Sequence, residues 1–557
     1  MSVHTNQAPA RSGVDRRDFL KFSAATGALA AIASSAPALA GRHQALGAPA
    51  AEDFEWQEAT ILELQQAMEE GRTTSQALAA DYIARIEEID FDGPRINSIM
   101  EINPDALEIA EQLDAEREEG RVRGPLHGIP VVLKDNIDTD DRMETTAGSL
   151  ALLGSRPGRD AFVAGKLRAA GAVILGKTTL SEWANFRSTH SASGWSGRAG
   201  QCLNPYVLDH NPCGSSSGSG AAIAANLAVA ALGTETDGSI VCPASANSIV
   251  GIKPTLGLTS RSGVIPIAHS QDVVGPMART VADAAAVLGA LTGVDRRDKA
   301  TRKSQDRAHK DYTKFLDADG LKGARIGVWR EGGFGNSEET DAIMEEALAA
   351  MSGAGARLVD PANIPNAESI GDPEFTVLLY EFKADVNKYL RSRPGLGVQS
   401  LRDLIAFNEA NATTELTWFD QEIFLLAQET GALQDKEYRQ ALQTSQRLAR
   451  SGINEIMRQH NLDAIVAPTG TPPWPTDLIN GDHFLFGSST PAAVAGFPNI
   501  SVPAGDSSDL PVGISFIGRA WTEPKLISLA FAFEQATKAR KPPEFRPTVA
   551  TKDFRER

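Results

Sequence analysis

Cysteine is scarce in this chain of 557 residues: Cys202, Cys213 and Cys242 are all there are. So few, so unevenly placed, exclude a disulfide framework or a zinc site. One bridge, Cys202–Cys213, is left open in an oxidising compartment. Positive charge is also short, with 54 Lys and Arg against 71 Asp and Glu and a formal net charge of −17. Phosphate binding needs clustered cations, so this balance argues against a nucleic-acid surface. The one alanine-rich apolar run, residues 22–33, is too short and too weak to span a bilayer. No internal repeat or low-complexity tract follows it. His127, His190, His210, His269 and His483 lack metal-ligand spacing such as H-E-x-x-H and are assigned structural or surface roles. No metal or cofactor is expected.

What is present is 42% hydrophobic sequence, enough for a globular chain with a large core. The N-terminus carries three export elements in order. A twin-arginine stretch, Asp15-Arg16-Arg17-Asp18-Phe19-Leu20-Lys21, precedes the apolar run, and Ala38-Leu39-Ala40 supplies a small-residue cleavage site. Residues 1–40 therefore read as a twin-arginine export signal of a bacterial protein, placing the mature chain in the periplasm or outside the cell. Residues 41–55 read as a linker, and 56–557 as one domain.

Within that domain, helical spacing predicts helices over Ile61–Met68, Ser75–Ile89 (capped by Thr74 or Ser75), Pro104–Glu119, Ala161–Ala170 and Ser337–Met351. Short apolar runs at Pro130–Leu133, Ala172–Leu175, Ile326–Trp329 and Ala464–Ala467 read as buried strands. Their alternation predicts an α/β fold with a covered sheet. Residues 375–460 read as mostly helical, and 361–460 as an insertion that shapes the substrate side.

Three segments carry chemistry. The first, Pro212-Cys213-Gly214-Ser215-Ser216-Ser217-Gly218-Ser219-Gly220, runs into a helix expected over Ala221–Leu232. Its glycines expose backbone N–H groups able to bind an anion, but no Lys-Ser/Thr ending makes it a P-loop. It also fits G-x-S-x-G around Ser216, yet the polar residues 204–213 before it are not the buried strand that a nucleophile elbow needs. Cys213 is a nucleophile by position only, with no histidine partner.

The second segment is Gly233-Thr234-Glu235-Thr236-Asp237-Gly238-Ser239. A glycine just before a serine permits a turn that aims successive N–H groups at one point. One such donor to an oxyanion contributes roughly 3–4 kcal/mol. Ser239 is then the candidate nucleophile. In the third, Lys134 follows the apolar run Ile129–Leu133. A buried lysine loses charge stabilisation, so its amine can act as a base; pairing with Asp135 or Asp138 is the structural alternative.

With these three segments, the chain resembles the amidase signature family of serine hydrolases over most of residues 57–545. Further matches are Gly251-Ile252-Lys253-Pro254-Thr255, Ser260–Pro266, Gly275–Asp283, Ala495-Gly496-Phe497-Pro498 and Leu510-Pro511-Val512-Gly513. The resemblance implies a central mixed β-sheet covered by helices on both faces, and amide hydrolysis through an acyl-serine. It implies that Ser239 attacks, that Ser215, on a cis peptide bond, relays protons, and that Lys134 is the base. The N–H groups of Thr236, Asp237, Gly238 and Ser239 would form the oxyanion hole.

The nucleophile turn departs from the commoner G-T-D-x-G-G-S at Glu235 and Asp237, where Asp would be tolerated in left-handed geometry. Val241 stands where many members have arginine. With Gly518-Arg519-Ala520-Trp521 these features look like the branch of bacterial peptide amidases, which deamidate peptide C-termini. The alternatives are a small-molecule aryl or aliphatic amidase, a transamidosome subunit acting with tRNA, and an inactive binding protein on this scaffold. Trp183, Trp195, Phe484 and Phe486 are candidates for an acyl pocket, Ser216 and Ser217 for holding the loop.

Overall fold

The computed structural model describes residues 54–393 and 395–549. The twin-arginine stretch, the cleavage site and most of the linker lie outside the described residues. Eleven strands form one mixed sheet: β1 (Ile99–Ile102), β2 (Pro130–Lys134), β3 (Val173–Thr178), β4 (Ala230–Glu235), β5 (Val250–Lys253), β6 (Val273–Ala278), β7 (Arg325–Val328), β8 (Arg357–Val359), β9 (Ala464–Pro468), β10 (Asn499–Ser507) and β11 (Leu510–Ile517). Their spatial order is β1-β3-β2-β4-β6-β5-β10-β11-β9-β7-β8. β2 runs parallel to β3 and β4, and β7 parallel to β8 and β9; the other pairs are antiparallel.

Successive strand residues point to opposite faces, so a strand buried along its whole length is covered on both. That holds for β2, β3, β4, β6 and β9, and it explains the apolar runs by which β2, β3 and β9 read as buried strands. The expected α/β architecture with a large mixed sheet flanked by helices is the one observed.

The helices follow local rules. Thr60 and Glu63 form a reciprocal capping box at Ile61–Glu69, and the Thr74 side chain accepts the Ala77 N–H at the start of Ser75–Ile86. The long helix Lys436–Gln459 buries Tyr438, Ser445, Ala449, Gly452, Ile453 and Ile456 along one stripe. It packs with Gly371–Ser392, and Leu401–Ala410 and Glu422–Glu429 complete the helical stretch.

One expectation is corrected, and one open pairing is resolved. The helix expected over Ala221–Leu232 spans only Ser217–Ala224. Asn226 takes a left-handed turn (φ 59°), and from Ala230 the chain pairs with β2 and β6 instead. Apolar residues buried all round suit helix and central strand alike, so periodicity could not separate them. The bridge left open between Cys202 and Cys213 is not formed: Cys213 pairs with Cys242, with Cα atoms 6.0 Å apart, and Cys202 is a buried free thiol. Cys213 is thereby removed as a nucleophile.

Candidate active site

β2 and β4 lie side by side and parallel, with Leu133 opposite Leu232. Their C-terminal ends therefore emerge at one edge of the sheet, where ligands gather in open α/β sheets. Lys134 ends β2, and the turn Thr236–Ser239 follows β4 directly. β6 runs antiparallel to β4 with Val273 opposite Glu235, which brings Asp272 to the same edge.

Lys134 is fully buried. Its Nζ lies 2.8 Å from Ser215 Oγ, 2.9 Å from Thr234 Oγ1 and 3.3 Å from the Thr234 carbonyl. Burial pushes the amine down to about 7, against the opposing pull of the Asp272 and Glu235 carboxylates. The salt-bridged alternative fails. Asp135 accepts the Thr146 N–H and sits 3.7 Å from Arg198, while Asp138 accepts the Tyr389 hydroxyl and faces Arg393. Two residues absent from the sequence reading complete the lysine's surroundings: Thr234, and Asn136, whose Nδ2 donates to Thr234 Oγ1 at 2.9 Å. Both lie within segments already singled out, but which side chains converge there is set by strand register.

Ser215 follows a cis peptide bond from Gly214. A side chain at Gly214 would run into the Ser181 hydroxyl, 2.2 Å from its first carbon, so the loop needs glycine there. Ser216 ties the loop to its neighbours: its N–H donates to the Ser239 carbonyl at 3.2 Å, and its hydroxyl donates to the Thr234 carbonyl at 3.2 Å. Ser217 opens the helix, buried beside Ser181.

In the turn that carries Ser239, Glu235 reaches forward to accept the N–H groups of Ile240 (2.8 Å) and Val241 (3.1 Å). Thr236 Oγ1 donates to Asp272 Oδ1 at 2.6 Å, and Asp272 also accepts the N–H groups of Ile267 and Ala268. Asp237 Oδ2 accepts the Thr490 hydroxyl at 2.6 Å. The left-handed residue is Gly238 (φ 81°), not Asp237, so the aspartate's tolerance of that geometry is not called on. Gln271 Nε2 donates to the Thr236 carbonyl at 3.3 Å and to Glu374 at 2.7 Å, bracing the turn from behind.

Ser239 opens into a cavity of about 640 Å³ whose wall includes Thr236, Asp237, Gly238, Phe375, Trp474 and the disulfide. Of the four aromatic candidates only Phe484 lines it; Trp183 packs on Phe424, Trp195 on Phe419, and Phe486 faces an adjoining cavity. Nor does any of the five histidines line it. His127 meets the Leu113 carbonyl, His210 pairs with Asp209, His483 with Asp477, and His190 lies beside Thr189. His269 pairs with Asp385 and faces Glu381, the one group among the described residues with metal-ligand proximity.

Residues 77–527 match the amidase family, and residues 13–33 match the twin-arginine translocation signal sequence. The crystal structure of native peptide amidase from Stenotrophomonas maltophilia is 50% identical, with a TM-score of 0.85 over 88% of this chain and 100% of that one. An amidase family protein from Bacillus anthracis is 39% identical, with a TM-score of 0.80 over 88% and 93%. A probable amidase of Arabidopsis thaliana is 45% identical over 88% of this chain and 92% of its own. No helix of the described residues is long and apolar enough to cross a membrane. A buried lysine against a serine, a second serine in a glycine turn that opens into a cavity, and a family match over most of the chain converge: this protein belongs to the amidase family and is an amide hydrolase exported by the twin-arginine route.

Proposed function

We propose that the protein hydrolyses the terminal carboxamide of peptides to the acid and ammonia, with Ser239, Ser215 and Lys134 as its catalytic residues. The contact of Lys134 Nζ with Ser215 Oγ in a fully buried site carries this reading. An amine lowered to about 7 is about half neutral near pH 7, where an ordinary lysine is almost wholly charged, and its lone pair can face the Ser215 hydroxyl.

Lys134 takes the Ser215 proton as Ser215 takes that of Ser239, and Ser239 Oγ bonds to the carbonyl carbon. The oxyanion so formed is met by the N–H groups of Thr236, Asp237, Gly238 and Ser239. Collapse breaks the C–N bond as the proton returns through Ser215 to the nitrogen, and ammonia leaves. Water, deprotonated along the same relay, then attacks the acyl-serine, releasing the acid and restoring Ser239.

The likeness to a peptide amidase supports the peptide substrate, and a cavity of about 640 Å³ holds more than a small amide. Residues 56–557 would form the amidase domain. Its helical segment 361–460 would shape the acyl side, where Phe375, Leu378 and Ile423 reach the cavity. Export places the activity in the periplasm or outside the cell. Ammonia release and product mass from C-terminally amidated peptides, wild type beside Ser239→Ala, test the reading. Deamidation by wild type alone is expected, and turnover by the alanine variant would sink the assignment of Ser239.

A further inference from the structure

A second cavity, of about 820 Å³, adjoins the first, and Gly487 and Thr490 line both. Thr490 is the residue whose hydroxyl holds Asp237, so the shared wall belongs to the nucleophile turn's own support. Gly487 forms a low rim between them. A side chain there would meet the Phe484 ring at 2.7 Å, so the chain is kept bare at this point. Beyond the rim lie Leu485, which is 69% exposed, Phe486, and the solvent-facing carboxylates Glu331 and Glu368. The buried Trp329 lines it, and its indole N–H has no hydrogen-bond partner among the described residues.

Charge runs the same way in both cavities. Asp237 and Asp482 line the first and Glu331 and Glu368 the second, and among the described residues no lysine, arginine or histidine lines either. An apolar shelf beside uncompensated carboxylates suits a side chain with an alkyl stem and a cationic head. Resting on the reading of an amidated-peptide substrate, we infer that the second cavity receives the residue upstream of the amidated one. Its preference there is for lysine or arginine over an acidic residue.

The test uses four N-acetylated substrates, Ac-Leu-NH2, Ac-Ala-Leu-NH2, Ac-Lys-Leu-NH2 and Ac-Glu-Leu-NH2, with wild type and the Glu331→Gln/Glu368→Gln double variant. In wild type, kcat/KM is expected to rise about tenfold from Ac-Leu-NH2 to Ac-Ala-Leu-NH2. Lysine should exceed glutamate about fivefold at low salt, the gap closing as salt is added. The double variant should keep the gain with length and lose the lysine preference. Equal rates for Ac-Leu-NH2 and Ac-Ala-Leu-NH2, or a lysine preference unchanged in the double variant, would overturn the inference while leaving the amidase reading intact. Ammonia from none of the four, beside turnover of a small aryl amide, would overturn the peptide reading and this site with it.

Discussion

Cys213 and Cys242 join the two serine-bearing segments covalently: Cys213 lies two residues before Ser215, and Cys242 three residues after Ser239. Both cysteines also line the cavity, and Trp474 packs beside them. The bridge joins cysteines with a sequence separation of 29, and the loop it closes contains both serines and the whole of β4.

Cross-linking a loop of that length removes about 3.6 kcal/mol of unfolded-state entropy. Reduction, or the Cys213→Ser/Cys242→Ser pair, should therefore lower the denaturation midpoint and reduce kcat, because the serine segments lose their tie. Urea unfolding and ammonia release, each with and without reductant, measure the two effects. Identical curves and rates in both states would refute the stabilising role of the bridge.

Lys134 sets the expected pH dependence. Its amine must be neutral to accept a proton, and burial lowers it to about 7, against the pull of Asp272 and Glu235. Below that value kcat/KM should fall about tenfold per pH unit, and above it the rate should level off. Stability has the same sign. The unfolded lysine holds its proton up to about 10.5, so between about 7 and 10.5 the unfolded chain binds more protons, and this group's contribution to stability rises with pH. Lys134→Ala should abolish turnover at neutral pH. A wild-type rate independent of pH between 5 and 8 would contradict the base assignment.

Thr234 holds two of the three positions around the Lys134 amine, through its hydroxyl and its carbonyl, leaving the third for Ser215. It acts as a positioning residue. Thr234→Val keeps shape and removes one acceptor, which costs the ammonium form more than the neutral amine. The acid limb of kcat/KM should move down by about one pH unit, since one unit corresponds to 1.36 kcal/mol. At the same time kcat should fall with KM little changed, and Thr234→Ser should restore both. An unshifted acid limb in the valine variant would leave Thr234 as packing alone.

Much of this was readable in the chain. The apolar runs that became β2, β3, β7 and β9 declared themselves because strands covered on both faces have little choice of residue. Strands such as β1 and β10 were silent, their pairing being decided by partners far away in sequence. Lys134, Ser215 and Ser239 stood out because glycine turns and a buried cation are costly without a purpose. Asp272, Gln271 and Asn136 did not, since as single residues they are ordinary polar side chains.

The sequence by itself determined the export signal, the α/β class and the three chemical segments, all of which are written in local residue types and short spacings. Tertiary structure alone decided which cysteine Cys213 meets and that Thr234, not an aspartate, holds the lysine. It also decided that Trp183 and Trp195 turn into the core and that Gly487 bridges two cavities. These depend on register and on contacts between residues tens to hundreds of positions apart, which no local pattern encodes.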